Sequence, residues 1–548
     1  MKKLALVFAV AAALALAGRA DAARFGVGVA KGTRIERVAA DVRALTGGTV
    51  SWKLAKLRVL VVEARGVRGV ASIPGVRYVE WLGGKRRLAF TPGDPLAPRQ
   101  WYLPFTRAFD LWPDPPALPG VKVAIIDSGV DATHRDLQGK ILSARSFVGG
   151  SSTTDSTGHG TFVAGIIAAE MDNGEGIAGI AFPAQLIVAK VVRPDRSVSL
   201  EAEAEAIRWA VDRGARVINL SLGGVRDPLN PDRDTYSRVE ADAVAYAVRR
   251  GAVLVAAVGN GDQAPTMPWP YASYPAALPH VIGVSALGRD GSVPPFSDRD
   301  PIYNDIAAPG VDIFSTLPRS LTRPYPTCSN QGYSDCGPEE YRHADGTSFA
   351  APQVAAAAAL VFAANPRLTA SQVTSIVERS ADDATPANGC KACQTLRDSA
   401  SGWGRLNITR AVVATQGVLP PPDRYETNDD AGPYAHKLFG RSGTITATLD
   451  YWDDRVDVYR VLVPSGARLN VSISGPRRAT AVRLWRPGTR TVVGRNATRF
   501  RVAASPRSTS GRSQLAYAVP ARAGGFFFLE IKLDRPASGA YTMRWSRS

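Results

Sequence analysis

Apolar and polar positions change rhythm twice along this 548-residue chain, dividing it into three regions. In the first, Phe25, Val27 and Val29 alternate, Ile35, Val38, Val42 and Leu45 fall at helical spacing, and an apolar strand runs through 57–62. A second short helix over 67–73 stops at Pro74-Gly75 and leads into a strand over 76–79. The order strand, helix, strand, helix, strand predicts a small α+β unit.

The middle region replaces alternation with continuous apolar runs at 121–126, 186–191, 217–220 and 253–258. Segments of helical period separate them, at 161–170, 201–212 and 239–249. Runs without polar alternation are strands buried on both faces, so the pattern predicts a parallel sheet with helices on both sides. Functional groups are then expected at the carboxyl ends of the strands. After 414 the rhythm changes again: Gly417-Val418-Leu419-Pro420-Pro421-Pro422 reads as a stiff linker. Short alternating strands such as 468–473 and 526–532 follow between Gly/Pro/Asn turns, predicting an all-β sandwich.

The first residues lie outside this scheme. Lys2 and Lys3 precede an apolar run from Leu4 to Ala17 and an Ala20-Asp21-Ala22 end, the layout of an export signal cleaved after Ala22. The competing membrane anchor needs about 20 apolar residues, more than this run supplies. Export makes the four cysteines readable as two local disulfides, Cys328 with Cys336 and Cys390 with Cys393; a four-thiolate zinc site is the alternative. A net charge of +17 would suggest nucleic acid, but it is unevenly spread. Residues 23–93 carry 14 Lys/Arg against 4 Asp/Glu, residues 94–422 carry 28 against 34, and residues 423–548 carry 21 against 10. An acidic middle between basic flanks gives no nucleic-acid reading.

Three fragments of the middle region carry chemistry. Asp127 ends a buried strand and is followed by Ser128-Gly129. His159 stands between glycines and opens a helix. Ser348 precedes an alanine-rich helix reaching Ala364, with Pro352 read as lying in its tolerant first turn. A hydroxyl nucleophile needs an imidazole to take its proton, a carboxylate to orient that imidazole, and donors for the oxyanion. A helix amino terminus beside Ser348 suits the last requirement.

The strings Ile-Ile-Asp-Ser-Gly-Val-Asp at 125–131, Gly-His-Gly-Thr at 158–161 and Gly-Thr-Ser-Phe-Ala-Ala-Pro at 346–352 resemble the three signatures of the subtilisin-like serine proteases, the subtilases. The resemblance covers about 94–414. It implies an α/β subtilisin-like domain in which Asp127, His159 and Ser348 form the catalytic triad and Asn260 donates to the oxyanion. It further implies a substrate-binding edge at Ser221, Leu222, Gly223 and Gly224, with Ser273 contributing to side-chain preference. A structural calcium ion (Ca2+) is implied at Asp94, Asp136 and Asn173, with carbonyls of Met171, Glu175 and Ile177. Residues 23–93 are similar to a subtilase propeptide that chaperones and inhibits its own enzyme, with maturation between Gly84 and Gly93. Residues 423–548 look like a bacterial pre-peptidase carboxyl-terminal domain. The implied organisation is signal peptide 1–22, propeptide 23–93, peptidase 94–416, linker 417–422 and β-sandwich 423–548. A secreted, monomeric serine endopeptidase acting on proteins is expected, without a membrane span.

Two rival readings stand beside this one. A processing protease selective for basic residues would need an acid near the cut, for which Asp262 is the candidate. An inert protease fold that binds acidic surfaces through its basic β-domain is the other.

Overall fold

The computed structural model describes residues 23–82, 90–112, 114–322 and 340–420 and, with short gaps, 425–548. The segment 1–22, most of the proposed maturation stretch, and the Cys328/Cys336 pair lie outside the described residues. The chain divides into two compact units, Met1–Leu88 and Ala89–Ser548.

In the first unit, strands β1 (Ala23–Val29), β2 (Thr49–Leu54), β3 (Val59–Ala64) and β4 (Val76–Trp81) form an antiparallel sheet ordered β2-β3-β1-β4. The helix Ile35–Thr46 buries Val38, Ala39 and Val42 against it. Two expectations are corrected here. The second helix is only a short turn at Val70–Ser72, because Gly66 and Gly69 leave too little continuous helix former to sustain one. The strand β2 was missed because most of its side chains face solvent, including Trp52, and carry no apolar alternation.

The second unit opens with a seven-stranded sheet in which every pairing is parallel. Its strands are β5 (Val121–Asp127), β6 (Ile141–Ser146), β7 (Ala184–Lys190), β8 (Val217–Leu220), β9 (Val253–Ala257), β10 (Val281–Leu287) and β11 (Ile306–Pro309), ordered β11-β10-β9-β8-β5-β7-β6. Helices His159–Ala168 and Thr347–Ala364 pack on one face, and Leu200–Asp212 and Arg238–Arg249 on the other. Strand order reverses at β5, so a crevice opens beyond the carboxyl ends of β5 and β8. The helix Thr347–Ala364 is apolar and long enough to cross a membrane, but 89% of it is buried. Its run of alanines lets it lie in the centre of the core.

Beyond the linker, nine strands among the described residues, from His436–Leu438 to Ser538–Arg547, make the expected sandwich, with five-stranded and four-stranded sheets closing on Leu449, Val461, Leu484 and Leu529. It packs on the α/β domain: Arg379, from the helix Ala370–Arg379, bonds Asp450 and lies over the Trp452 ring at 4.3 Å. Trp403 meets Tyr451 with ring centres 5.6 Å apart.

Candidate active site

Strand β5 delivers Asp127 to the crevice with its carboxylate only 1% exposed. One oxygen accepts the Ser128 amide at 2.7 Å, and the two stand 2.9 and 3.0 Å from Nδ1 of His159. That geometry fixes the proton on Nδ1 and frees Nε2 for proton transfer. His159 reaches this position because the loop before its helix is pressed against the segment after β5. A Cβ on Gly160 would stand 2.1 Å from the Gly129 carbonyl oxygen, so only glycine permits the approach.

A residue missed in the sequence holds the two segments together. Asp155, 3% exposed, accepts from Ser128 Oγ, the Thr157 and Gly158 amides and the Thr157 hydroxyl on one oxygen. Its other oxygen accepts the amide and hydroxyl of Thr161. Ser128 Oγ in turn accepts from the Gly160 amide at 2.9 Å. Its legible signal was an Asp four residues before His159 at a helix start. Burial alone would favour the neutral imidazole, but the charge and hydrogen bond of Asp127, with the charge of Asp155, hold the His159 pKa above its ordinary value.

Ser348 is the second residue of the helix Thr347–Ala364, so its amide has no intrahelical acceptor. Pro352 is corrected from the first turn to the helix interior. A proline there removes the hydrogen bond to the carbonyl four residues earlier, which is that of Ser348. Ser221 Oγ fills the vacancy by donating to the Ser348 carbonyl at 2.7 Å, and Asn219 Nδ2 holds Ser221 Oγ at 2.9 Å. The Ser348 hydroxyl donates to the Ser221 carbonyl at 3.3 Å, and no hydrogen bond joins it to His159 among the described residues.

Asn260 follows β9. Its Oδ1 accepts the amide and hydroxyl of Thr347 at 2.9 and 2.8 Å, which turns Nδ2 outward with no hydrogen bond among the described residues. A cleft of about 370 Å³ borders Asp127, His159, Ser221, Leu222 and Gly223. Phe349 of the 346–352 string also lines it, as do Arg196 and Val198, which carried no sequence signal. Gly224 is different, because its amide and carbonyl are already paired with Tyr274 at 2.9 Å each. Ser273 borders Gly259 instead of this cleft.

The expected calcium residues also converge. Asp94 accepts the amides of Asp172 and Asn173, Asp136 accepts that of Ile177, and Asn173 Oδ1 accepts that of Glu175. Among the described residues no three His, Cys, Asp or Glu side chains gather to hold a metal. Asp136 Oδ1 is nonetheless buried with no well-formed hydrogen bond, the Tyr341 hydroxyl being the polar group beside the carboxylate. Burial, reinforced by the charge of Asp94, pushes the Asp136 pKa up to about 6. Such an acid pair fits a hard cation completed by backbone carbonyls. Cys390 and Cys393 are joined as a disulfide.

A doubly covered parallel sheet with carboxylate, imidazole and hydroxyl at its switch point belongs to the class of serine hydrolases. Residues 119–404 match the profile of the Subtilase family. Thermitase of Thermoactinomyces vulgaris is 36% identical over 328 residues, covering 59% of this chain and 99% of that protein. Subtilisin DY of Bacillus licheniformis is 37% identical over 254 residues, 46% of this chain and 80% of that protein. The cell wall-associated protease of Bacillus subtilis (strain 168) is 38% identical over 310 residues, 53% of this chain but only 31% of that protein. The chain belongs to the subtilase family of serine endopeptidases.

Proposed function

We propose that the protein is a secreted endopeptidase that hydrolyses proteins through an acyl-enzyme on Ser348. The observation that carries this reading is the Asp127–His159 pair facing the same cleft as the helix start that bears Ser348. On substrate binding the Ser348 hydroxyl leaves the Ser221 carbonyl for His159 Nε2, a contact that tightens only in the complex. Its oxygen attacks the scissile carbonyl as His159 takes the proton. The oxyanion is met by Asn260 Nδ2 and the Ser348 amide, at the positive end of a helix. The C–N bond then breaks, His159 protonates the leaving amine, and water repeats the sequence to release the acid. Substrate backbone pairs with Ser221–Gly223 as an added strand. Ser348→Ala tested on casein decides the mechanism: hydrolysis should disappear, and undiminished hydrolysis would sink it.

The remaining parts of this proposal concern delivery. Residues 1–22 export the chain, residues 23–93 serve as inhibitor and chaperone until cut between Gly84 and Gly93, and residues 423–548 form a pre-peptidase-type sandwich. The protein works as a monomer without nucleic acid or a membrane span. A structural calcium ion is held by Asp94, Asp136, Asn173 and carbonyls of the 171–177 loop, supported by the buried Asp94 and Asp136 carboxylates. Mass spectrometry of the secreted protein's two ends tests the processing scheme.

A further inference from the structure

We propose that Asp298 selects a lysine or arginine side chain for the residue immediately before the scissile bond. This rests on the assignment of Ser348 and Asn260 above, since the scissile carbonyl must lie between Ser348 Oγ and Asn260 Nδ2. The side chain of that residue then enters between the segments 221–223 and 259–261. Glycine stands in both walls, at Gly223 in the first and at Gly259 and Gly261 in the second. Ser273 lies between them: a Cβ on Gly223 would stand 3.6 Å from Ser273 Cβ, and one on Gly259 would stand 2.5 Å from Ser273 Oγ.

Asp298 stands directly behind this floor. Its Oδ2 would be 2.2 Å from a Cβ on Gly259 and its Oδ1 3.3 Å from one on Gly261. Its own amide donates to the Gly259 carbonyl at 3.1 Å, tying it to the oxyanion segment. The residue is 2% exposed; Ser273 and the Trp269 backbone hydrogen-bond its carboxylate, but Oδ1 has no hydrogen-bond partner. No cation compensates it among the described residues. Arg299 donates to the Val293 carbonyl, Asp300 is paired with Arg226 at 2.8 Å, and the neighbouring charge of Asp262 is negative.

A buried acid without a countercharge is costly, and here burial, with the charge of Asp262, pushes its pKa up to about 8. The missing countercharge is what a lysine or arginine brings. An apolar side chain would leave the carboxylate without a countercharge, and an acidic one would meet two like charges. The sign of the pH effect follows. Asp298 is mostly neutral below about pH 8 and ionised above it, whereas lysine stays charged to about pH 10. The preference for a basic residue should therefore strengthen as pH rises through 8.

The test is kcat/KM on peptides that differ only at the residue before the cut, using the secreted enzyme after maturation. Lysine and arginine should exceed methionine and leucine by about tenfold at pH 9, with a smaller ratio at pH 6.5. Asp298→Asn should lower that ratio by about fivefold or more while leaving the leucine peptide within about threefold, and should abolish its pH dependence. A purely structural role would lower all peptides alike, and that outcome overturns the proposal. So does a wild-type enzyme indifferent to basic residues at both pH values, which needs no variant to fold. Labelling by a fluorophosphonate separates the two levels. A labelled enzyme without basic preference refutes this inference alone, whereas a protein neither labelled nor active refutes the proposed function.

Discussion

Replacing Asp155 by asparagine tests whether a buried acid outside the proposed triad organises it. Asparagine keeps the shape and one acceptor oxygen, which can still serve Ser128, Thr157 and Gly158. Its amide nitrogen then faces Thr161. The Thr161 hydroxyl can turn and accept, but the Thr161 amide is left without an acceptor in a buried place. An orphaned buried donor costs about 1–3 kcal/mol, and the surviving bonds lose the charge that strengthened them. A loss of about 3 kcal/mol follows, which for a domain of this size lowers Tm by about 6 °C. The same change removes a negative charge that acts on His159, so the acid limb of kcat/KM should move to lower pH. Scanning fluorimetry and a pH profile on one peptide substrate measure both effects. A Tm within about 1 °C of wild type together with an unmoved acid limb would refute the role assigned to Asp155.

Four further outcomes are expected. The acid limb of wild-type kcat/KM should lie above 6.5, because His159 must be neutral to act as base and its folded pKa is raised; the same shift makes its contribution to stability fade as pH rises through that limb. Asp127→Asn should move the limb downward and lower kcat by about 10⁴, so a profile unchanged in position would contradict the pairing. Asn260→Ala should lower kcat by about 10²–10³ with little change in KM, and an equal loss in KM alone would point to a binding role. Chelation should lower Tm, with calcium but not magnesium restoring it, and Asp136→Asn should abolish the response; a Tm indifferent to chelator would remove the calcium assignment.

Composition and periodicity determined the α/β centre and its flanking units, because these depend on local rules. A continuous apolar run is a doubly buried strand wherever it sits, and the three signature strings are contiguous in the chain. Asp127, His159 and Ser348 were singled out because those strings resemble the subtilase signatures, and Asn260 by the same resemblance. Helix ends shifted by a residue or two, and β2 escaped because an exposed edge strand has no apolar alternation.

Only the tertiary structure decided what supports those residues. Asp155 is one acid among 49 until folding turns six neighbouring donor groups toward it. Pro352 looked like a tolerated first-turn residue, yet its missing hydrogen bond is repaired by Ser221, which lies 131 positions away in sequence. Asp262 was the acid that adjacency suggested, whereas folding brings Asp298 from beyond β10 to stand behind Gly259 and Gly261. Sequence patterns report what a residue does to its own helix or strand. Burial, charge pairing and shared hydrogen bonds depend on which distant segments the sheet order brings side by side.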